Sequence, residues 1–246
     1  LFSLHQMQVE FIIHKSASRG HANHGWLDSK HTFSFANYFN PDRIHFGALR
    51  VLNDDTVAAG MGFGTHPHQN MEIISIPLSG SLAHQDSMGN QQTIQSGEIQ
   101  VMSAGTGIQH SEYNASKTHP VQFLQIWVIP NQMGVKPRYD QIQLKPSDAH
   151  NRFQQILSPD PTDDGVWIHQ QAWFSLGHFD PNSQASYTLH SKENGVYLFV
   201  LEGDISVNDQ ILNKRDGMGI THANNFQIKT ISKASILLME VPMLTL

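Results

Sequence analysis

The sequence has 246 residues, 39% hydrophobic and 15% charged, with a formal charge of −6, no cysteine and 16 histidines. That length allows one large β domain or two of ordinary size, and no run approaches the roughly 18–20 apolar residues needed to cross a bilayer. Disulfides, zinc–thiolate sites, iron–sulfur clusters and cysteine nucleophiles are excluded together, and no Lys/Arg cluster offers the footprint for direct nucleic-acid binding.

The chain opens on Leu1, and Met7 reads as the natural start, with residues 1–6 a non-native remnant outside the fold. No basic stretch followed by an apolar one precedes it, so no secretory signal is read and a cytoplasmic protein is expected. Residues 8–14 read as a first strand and Ser16 to Gly20 as a turn. His31-Thr32-Phe33-Ser34-Phe35 alternates and predicts a short strand. Asn40-Pro41-Asp42 is a turn signal. His45 to Leu52 predicts another strand, closed by a turn at Asn53-Asp54-Asp55.

From Thr56 to Val128, β-branched runs alternate with Gly, Asn, Asp and Ser punctuation, and Gln122 to Ile129 is the strongest strand. Turn signals about every 8–12 residues, without a persuasive amphipathic helix, indicate an all-β sandwich or barrel. Pro130, Gly134, Pro137 and Pro146 mark a boundary. A second β block follows, and it rhymes with the first. Leu78-Ser79-Gly80-Ser81-Leu82 is similar to Leu201-Glu202-Gly203-Asp204-Ile205, and Ser96-Gly97-Glu98-Ile99 to Arg215-Asp216-Gly217-Met218. Two copies of one β-barrel are expected: residues 8–133 with a site, and 134–246 without one, because His190 and His222 are single there.

The site is expected at Gly60 to Glu72. On a strand, His66 and His68 point to one side, and two converging imidazoles make half a metal site. A second spacing-two pair lies at His110-Ser111-Glu112. Gly60, His66, His68, Glu72 and Gly80 fit the first cupin motif, with a Glu72–Gly80 gap one residue longer than usual, and Gly97 and His110 fit the second. A cupin is a small double-sheet barrel with a metal at its mouth. Pro67 lacks an N–H and suits a barrel rim. His21, His24 and His31 are read as satisfied loop or core residues, and His84 as part of a hairpin. Phe33, Phe46, Phe63 and Trp127 are read as core, although an aromatic wall would also suit a flat phenolic ligand.

Asn23-His24-Gly25-Trp26, His31 to Phe35, Gly64-Thr65-His66-Pro67-His68, His84 to Asn90 and Met102 to Glu112 together resemble the pirin family, and within it the bacterial pirin-like quercetinases. The resemblance is densest over about residues 20–140. It implies a bicupin whose N-terminal barrel binds one divalent transition metal through three histidines and a glutamate. Those ligands fall on His66, His68, His110 and Glu112, which leaves Glu72 outside the metal shell. Iron(II) is the expected metal; nitrogen and oxygen ligands also suit manganese, nickel, copper or zinc. The resemblance further implies a dioxygenase that uses O2 to open the heterocyclic ring of a flavonol such as quercetin, with Glu112 as the base. Two alternatives stand beside it: an iron-dependent regulator acting through protein partners, and an oxygenase of another small phenolic or enolic compound.

Overall fold

The computed structural model describes residues 7–246; residues 1–6, on which the sequence reading of a remnant falls, lie outside the described part. In chain order the first half forms β1 (Glu10–His14), β2 (Gly20–Asn23), β3 (Leu27–His31), β4 (Leu49–Val57), β5 (Gly62–His68), β6 (Glu72–Ser79), β7 (Ser81–Asp86), β8 (Gln91–Gln95), β9 (Glu98–Ser103), β10 (Ile108–Asn114), β11 (Val121–Val128) and β12 (Arg138–Gln143). The second half forms β13 (Phe153–Ser158), β14 (Val166–Trp167), β15 (Trp173–Phe179), β16 (Gln184–Thr188), β17 (Asn194–Glu202), β18 (Ile205–Val207), β19 (Gln210–Leu212), β20 (Gly217–Thr221), β21 (Asn225–Thr230) and β22 (Ala234–Pro242). Two short 3₁₀ turns, Ser16–Ser18 and Pro146–Ala149, are the only helical segments among the described residues. No helix there is long and apolar enough to cross a membrane.

Each half pairs a seven-stranded sheet with a four-stranded one. The first has the orders β12-β9-β6-β11-β4-β3-β2 and β5-β10-β7-β8; the second has β1-β20-β17-β22-β15-β13-β14 and β16-β21-β18-β19. This is the expected all-β, two-barrel cupin architecture. The rhyming segments are the same hairpin corner twice: Gly80 and Gly203 turn it with φ of 76° and 82°, a region open to glycine at little cost.

Strand alternation decides which residues line which space. On β11, Leu124, Ile126 and Val128 face outward into a core shared by both halves, together with Ile74, Ile76, Ile99 and Val101. The second half contributes Phe174, Tyr197, Phe199, Leu237 and Met239 to the same core. The backs of the two large sheets therefore pack on each other. Phe46 locks them: its ring lies so close to Gly195 and Gly219 that a Cβ there would sit 2.8 and 2.7 Å from it.

Strands cross the expected boundary between residues 133 and 134 in both directions. β1, placed by sequence in the first barrel, pairs with β20 of the second. β12, placed in the second, pairs with β9 of the first. The strand predicted at His31 to Phe35 is displaced: β3 ends at His31, and Phe35 makes only an isolated bridge to Tyr38. The predicted turn at Asn53-Asp54-Asp55 is the middle of β4. Its polar side chains are buried and satisfied by distant partners. His31 contacts Asn53, Ser29 donates to Asp55, and Arg19 and Arg215 flank Asp54 at 3.0 and 3.3 Å.

Candidate metal centre

The inner spaces of the two barrels differ in kind. The second is filled by one continuous apolar cluster that includes Val196, Leu198, Val200, Ile236 and Leu238. The first has two smaller clusters, one around Leu82, Ile94 and Phe123 and one around Ile73, Met102 and Ile108. Between them lies a buried polar layer containing Ser75, His84, Gln100, His110 and Glu112. Such a layer costs stability unless its groups find partners.

The two histidine pairs meet at one end of this layer. β5 and β10 are antiparallel neighbours, with His66 opposite His110 and His68 opposite Ile108. His110 Nε2 lies 3.0 Å from His66 Nε2 and 3.1 Å from His68 Nε2. His66 Nδ1 donates to the carbonyl of Gly64 at 2.6 Å, which leaves its Nε2 as a lone pair aimed at the other rings. Burial, followed by the neighbouring His66, pushes His68 down to about 4. Burial likewise lowers His110, with His66, His68 and His84 adding to the effect. His68 and His110 are therefore neutral at neutral pH. Imidazole lone pairs converging from three directions cannot satisfy one another, and a shared divalent cation resolves them. The donor set fits such an ion.

His110 is buried, whereas His66 and His68 are partly exposed, so the trio opens to one side. There a groove of about 690 Å³ runs past His68, lined also by Gln69, Ser87, Thr106 and Gln109. Trp127 borders the trio from β11, its ring edge-on to His68 at 5.2 Å and to Phe35 at 5.5 Å. Of the two places the sequence allows it, core or aromatic wall, it takes the second, packing partly buried against the cluster around Ile73 and Met102.

Glu112 sits deeper. The His66, His68 and His110 nitrogens group within 4.8 Å of one another without it; Glu112 groups instead with His84 and His110. Its Oε1 is 3.8 Å from His110 Nδ1. It accepts from Gln125 at 3.0 Å and, more loosely, from Ser75 and Gln100 at 3.4 Å. Complete burial pushes its carboxyl up to about 7 against those hydrogen bonds. A β-bulge between His110 and Glu112 offsets the pairing with β5, so Glu112 lies opposite Phe63. A bulge re-aims the side chain that follows it.

Glu72 faces the other way. It shares its side of β6 with Ile74 and Ile76 and accepts from Ser103 Oγ at 2.7 Å. Burial raises it to about 7, while Ser103, Arg138 and the backbone of His169 pull the other way. It belongs to the contact between the halves.

Sequence reasoning passed over the group behind His110. His84 is on the expected hairpin, but it points inward and is buried. Its Nε2 lies 2.7 Å from Asp86 Oδ2, its ring stacks on Tyr139 at 4.4 Å and it meets His110 edge-on at 5.5 Å. The spacing-two pair His84-x-Asp86 was the available signal. Of the upstream histidines, His21 contacts Asp28 and His31 contacts Asn53, while His24 is exposed.

The second barrel shows what replaces such a layer. Phe226 lies opposite Tyr187 as His110 lies opposite His66, and Thr230 pairs with Ile205 as Asn114 pairs with Leu82. By that register Tyr187, Leu189, Phe226, Ile228 and Val207 occupy the positions of His66, His68, His110, Glu112 and His84. Glu240 stands where Trp127 does. It accepts from Tyr187, His190 and Asn194 at 2.7–2.9 Å.

Residues 13–128 match the family model described as Pirin, and residues 155–241 match the quercetinase C-terminal cupin domain. The chain is 44% identical to quercetin 2,3-dioxygenase of Escherichia coli K12 over 94% of this chain and 98% of that one. It is 37% identical to a pirin-like protein of Caulobacter vibrioides, covering 90% and 95%. The structure of the E. coli bacterial pirin YhhW in complex with nickel(II) superposes with a TM-score of 0.90 at 41% identity, covering 96% of this chain and all of that one.

Proposed function

The chain belongs to the pirin family, and from that premise we propose that it is a metal-dependent dioxygenase that opens the heterocyclic ring of a flavonol such as quercetin. The convergence of three imidazole Nε2 atoms at an open barrel mouth carries this reading. Nickel(II) bound to the YhhW relative and the dioxygenase name of the E. coli relative support it.

In this reading His66, His68 and His110 hold a divalent transition metal, with Glu112 as the fourth protein ligand. Iron(II) is our choice, and manganese, nickel, copper or zinc would also suit the donors. When bound, the metal supplies Lewis acidity and a meeting point for the flavonol and O2. The protein's own residues do the rest. Trp127 and the groove beside His68 receive a flat, hydroxylated molecule and orient it. Glu112 takes the proton of the flavonol hydroxyl that lies beside the ring carbonyl. Gln125, Gln100 and Ser75 hold the carboxylate in place. The two oxygen atoms of O2 enter the product, the heterocycle opens and carbon monoxide leaves.

The test is to load the protein with each metal in turn, supply quercetin and O2, and measure flavonol loss together with carbon monoxide. His66→Ala and Glu112→Ala are expected to abolish both. No turnover with any metal removes the quercetinase reading; turnover that survives both substitutions removes the site assignment.

A further inference from the structure

Six buried side-chain polar atoms among the described residues lack a hydrogen-bond partner, and two of them, His84 Nδ1 and His110 Nδ1, belong to adjacent rings. Their proton states follow from their other ends. Asp86 accepts at Oδ2 from His84 Nε2, so His84 carries its proton on Nε2 and its Nδ1 is a lone pair. His110 turns Nε2 toward His66 and His68. As a metal ligand it must keep that nitrogen bare and carry its proton on Nδ1. One orphan is therefore an acceptor and the other a donor.

We propose that His84 is a positioning residue for the metal centre: oriented by Asp86 and Tyr139, it accepts the Nδ1 proton of His110 and so fixes the tautomer in which His110 binds metal. The inference rests on the reading of His110 as a ligand. The chain of contacts runs Asp86, His84, His110, metal. Histidine ligands almost always donate their second N–H to a carboxylate, carbonyl or water; here an imidazole takes that place. A ring nitrogen of each histidine and a carboxylate oxygen of Glu112 lie within 4.8 Å of one another, so a small ring rotation or one bridging water closes the contact. Glu112 Oε1, 3.8 Å from His110 Nδ1, is the competing acceptor, but its oxygens already accept from Gln125, Gln100 and Ser75, whereas His84 Nδ1 has no other partner.

Asp86→Asn tests the hydrogen-bond polarity while keeping the shape. Two backbone donors, Met88 N and Asn90 N, converge on Asp86 Oδ1, while Asn90 Nδ2 reaches both oxygens, at 3.1 Å for Oδ1 and 2.9 Å for Oδ2. The two backbone donors hold the amide oxygen there and turn its NH2 toward His84 Nε2. His84 must then move its proton to Nδ1, where it confronts the Nδ1–H of His110. Zinc(II) titration of Asp86→Asn by calorimetry is expected to show affinity reduced about tenfold to a hundredfold, with an unchanged far-UV spectrum. Long-range ¹H–¹⁵N spectra of the zinc-loaded native protein are expected to show His84 protonated on Nε2 and His110 on Nδ1, with His84→Phe identifying the His84 signals. A native His84 protonated on Nδ1 overturns the proposal even if Asp86→Asn fails to fold. So does an Asp86→Asn protein that folds and binds zinc as tightly as the native one. If the native protein takes up no zinc, iron(II) or nickel(II), the metal-site reading itself has failed, and this inference falls with it.

Discussion

Glu72 and Glu112 are two buried carboxyls of one barrel that face opposite ways. Glu72 meets Ser103 on the side packed against the second half, and Glu112 lies among Ser75, Gln100 and Gln125 inside the barrel. A cupin motif read as a string would make Glu72 the ligand; strand parity forbids it, because Ile73 and Ser75 take the inward positions of β6.

Metal content separates the two glutamates. Glu112→Ala is expected to lower the metal-to-protein ratio, measured by elemental analysis after purification. Glu72→Ala is expected to keep that ratio and lose about 1–3 kcal/mol of stability in urea unfolding, because it strands the Ser103 hydroxyl that donates to it.

Acid release of the metal should come late. An unperturbed histidine protonates near 6.5, whereas burial brings His68 to about 4 and depresses His110 as well. Protons therefore compete weakly with the metal until the pH is well below 6.5. The midpoint of metal loss, followed by dialysis at stepped pH, is expected below 6. A midpoint at or above 6.5 would contradict the lowered basicity of His68 and His110.

The metal-free protein should weaken as pH rises. The carboxyls of Glu72 and Glu112 move from 4.5 to about 7 on folding, so the folded state binds more protons than the unfolded one. Their contribution is complete below about 4.5 and is lost as pH climbs through about 7. Above about pH 6.5, where His68 and His110 are neutral folded or unfolded, thermal melts without metal are expected to drop up to about pH 8, and Glu112→Gln to flatten part of that drop. Bound metal should also flatten it, by neutralising the ionised carboxylate.

Glu240→Ala should damage the second barrel and spare the first. It removes one buried carboxylate that Tyr187, His190 and Asn194 all address. A loss of about 1–3 kcal/mol is expected in chemical denaturation, with metal content unchanged when the purified fold is intact.

Local pattern revealed the architecture and the histidines because both are local properties. Spacing two on a strand puts His66 and His68 on one face, and repeated turn glycines mark matching corners. What escaped depends on partners far along the chain. Asn53-Asp54-Asp55 carries turn residues, yet it is a strand because His31, Ser29, Arg19 and Arg215 satisfy it from elsewhere. The depth of Glu112 follows from a bulge, a one-residue register shift that composition does not announce. The Asp86–His84 pair has the right spacing, but its value shows only once β10 brings His110 against it.

The pairing of β1 with β20 joins residues 10–14 to residues 217–221. On a ribosome the first strand emerges long before its partner. Residues 10–14 must therefore wait, undocked, until residues 217–221 have been made before their sheet exists. Long-range closure of this sort slows folding. A nascent chain stopped after β12 would hold a first barrel whose neighbouring large sheet has yet to be made, with Ile74, Ile76, Leu124 and Ile126 still uncovered. Truncations that keep only the metal-bearing half should therefore aggregate, and the half without the metal acts as the cover under which the other can stay soluble.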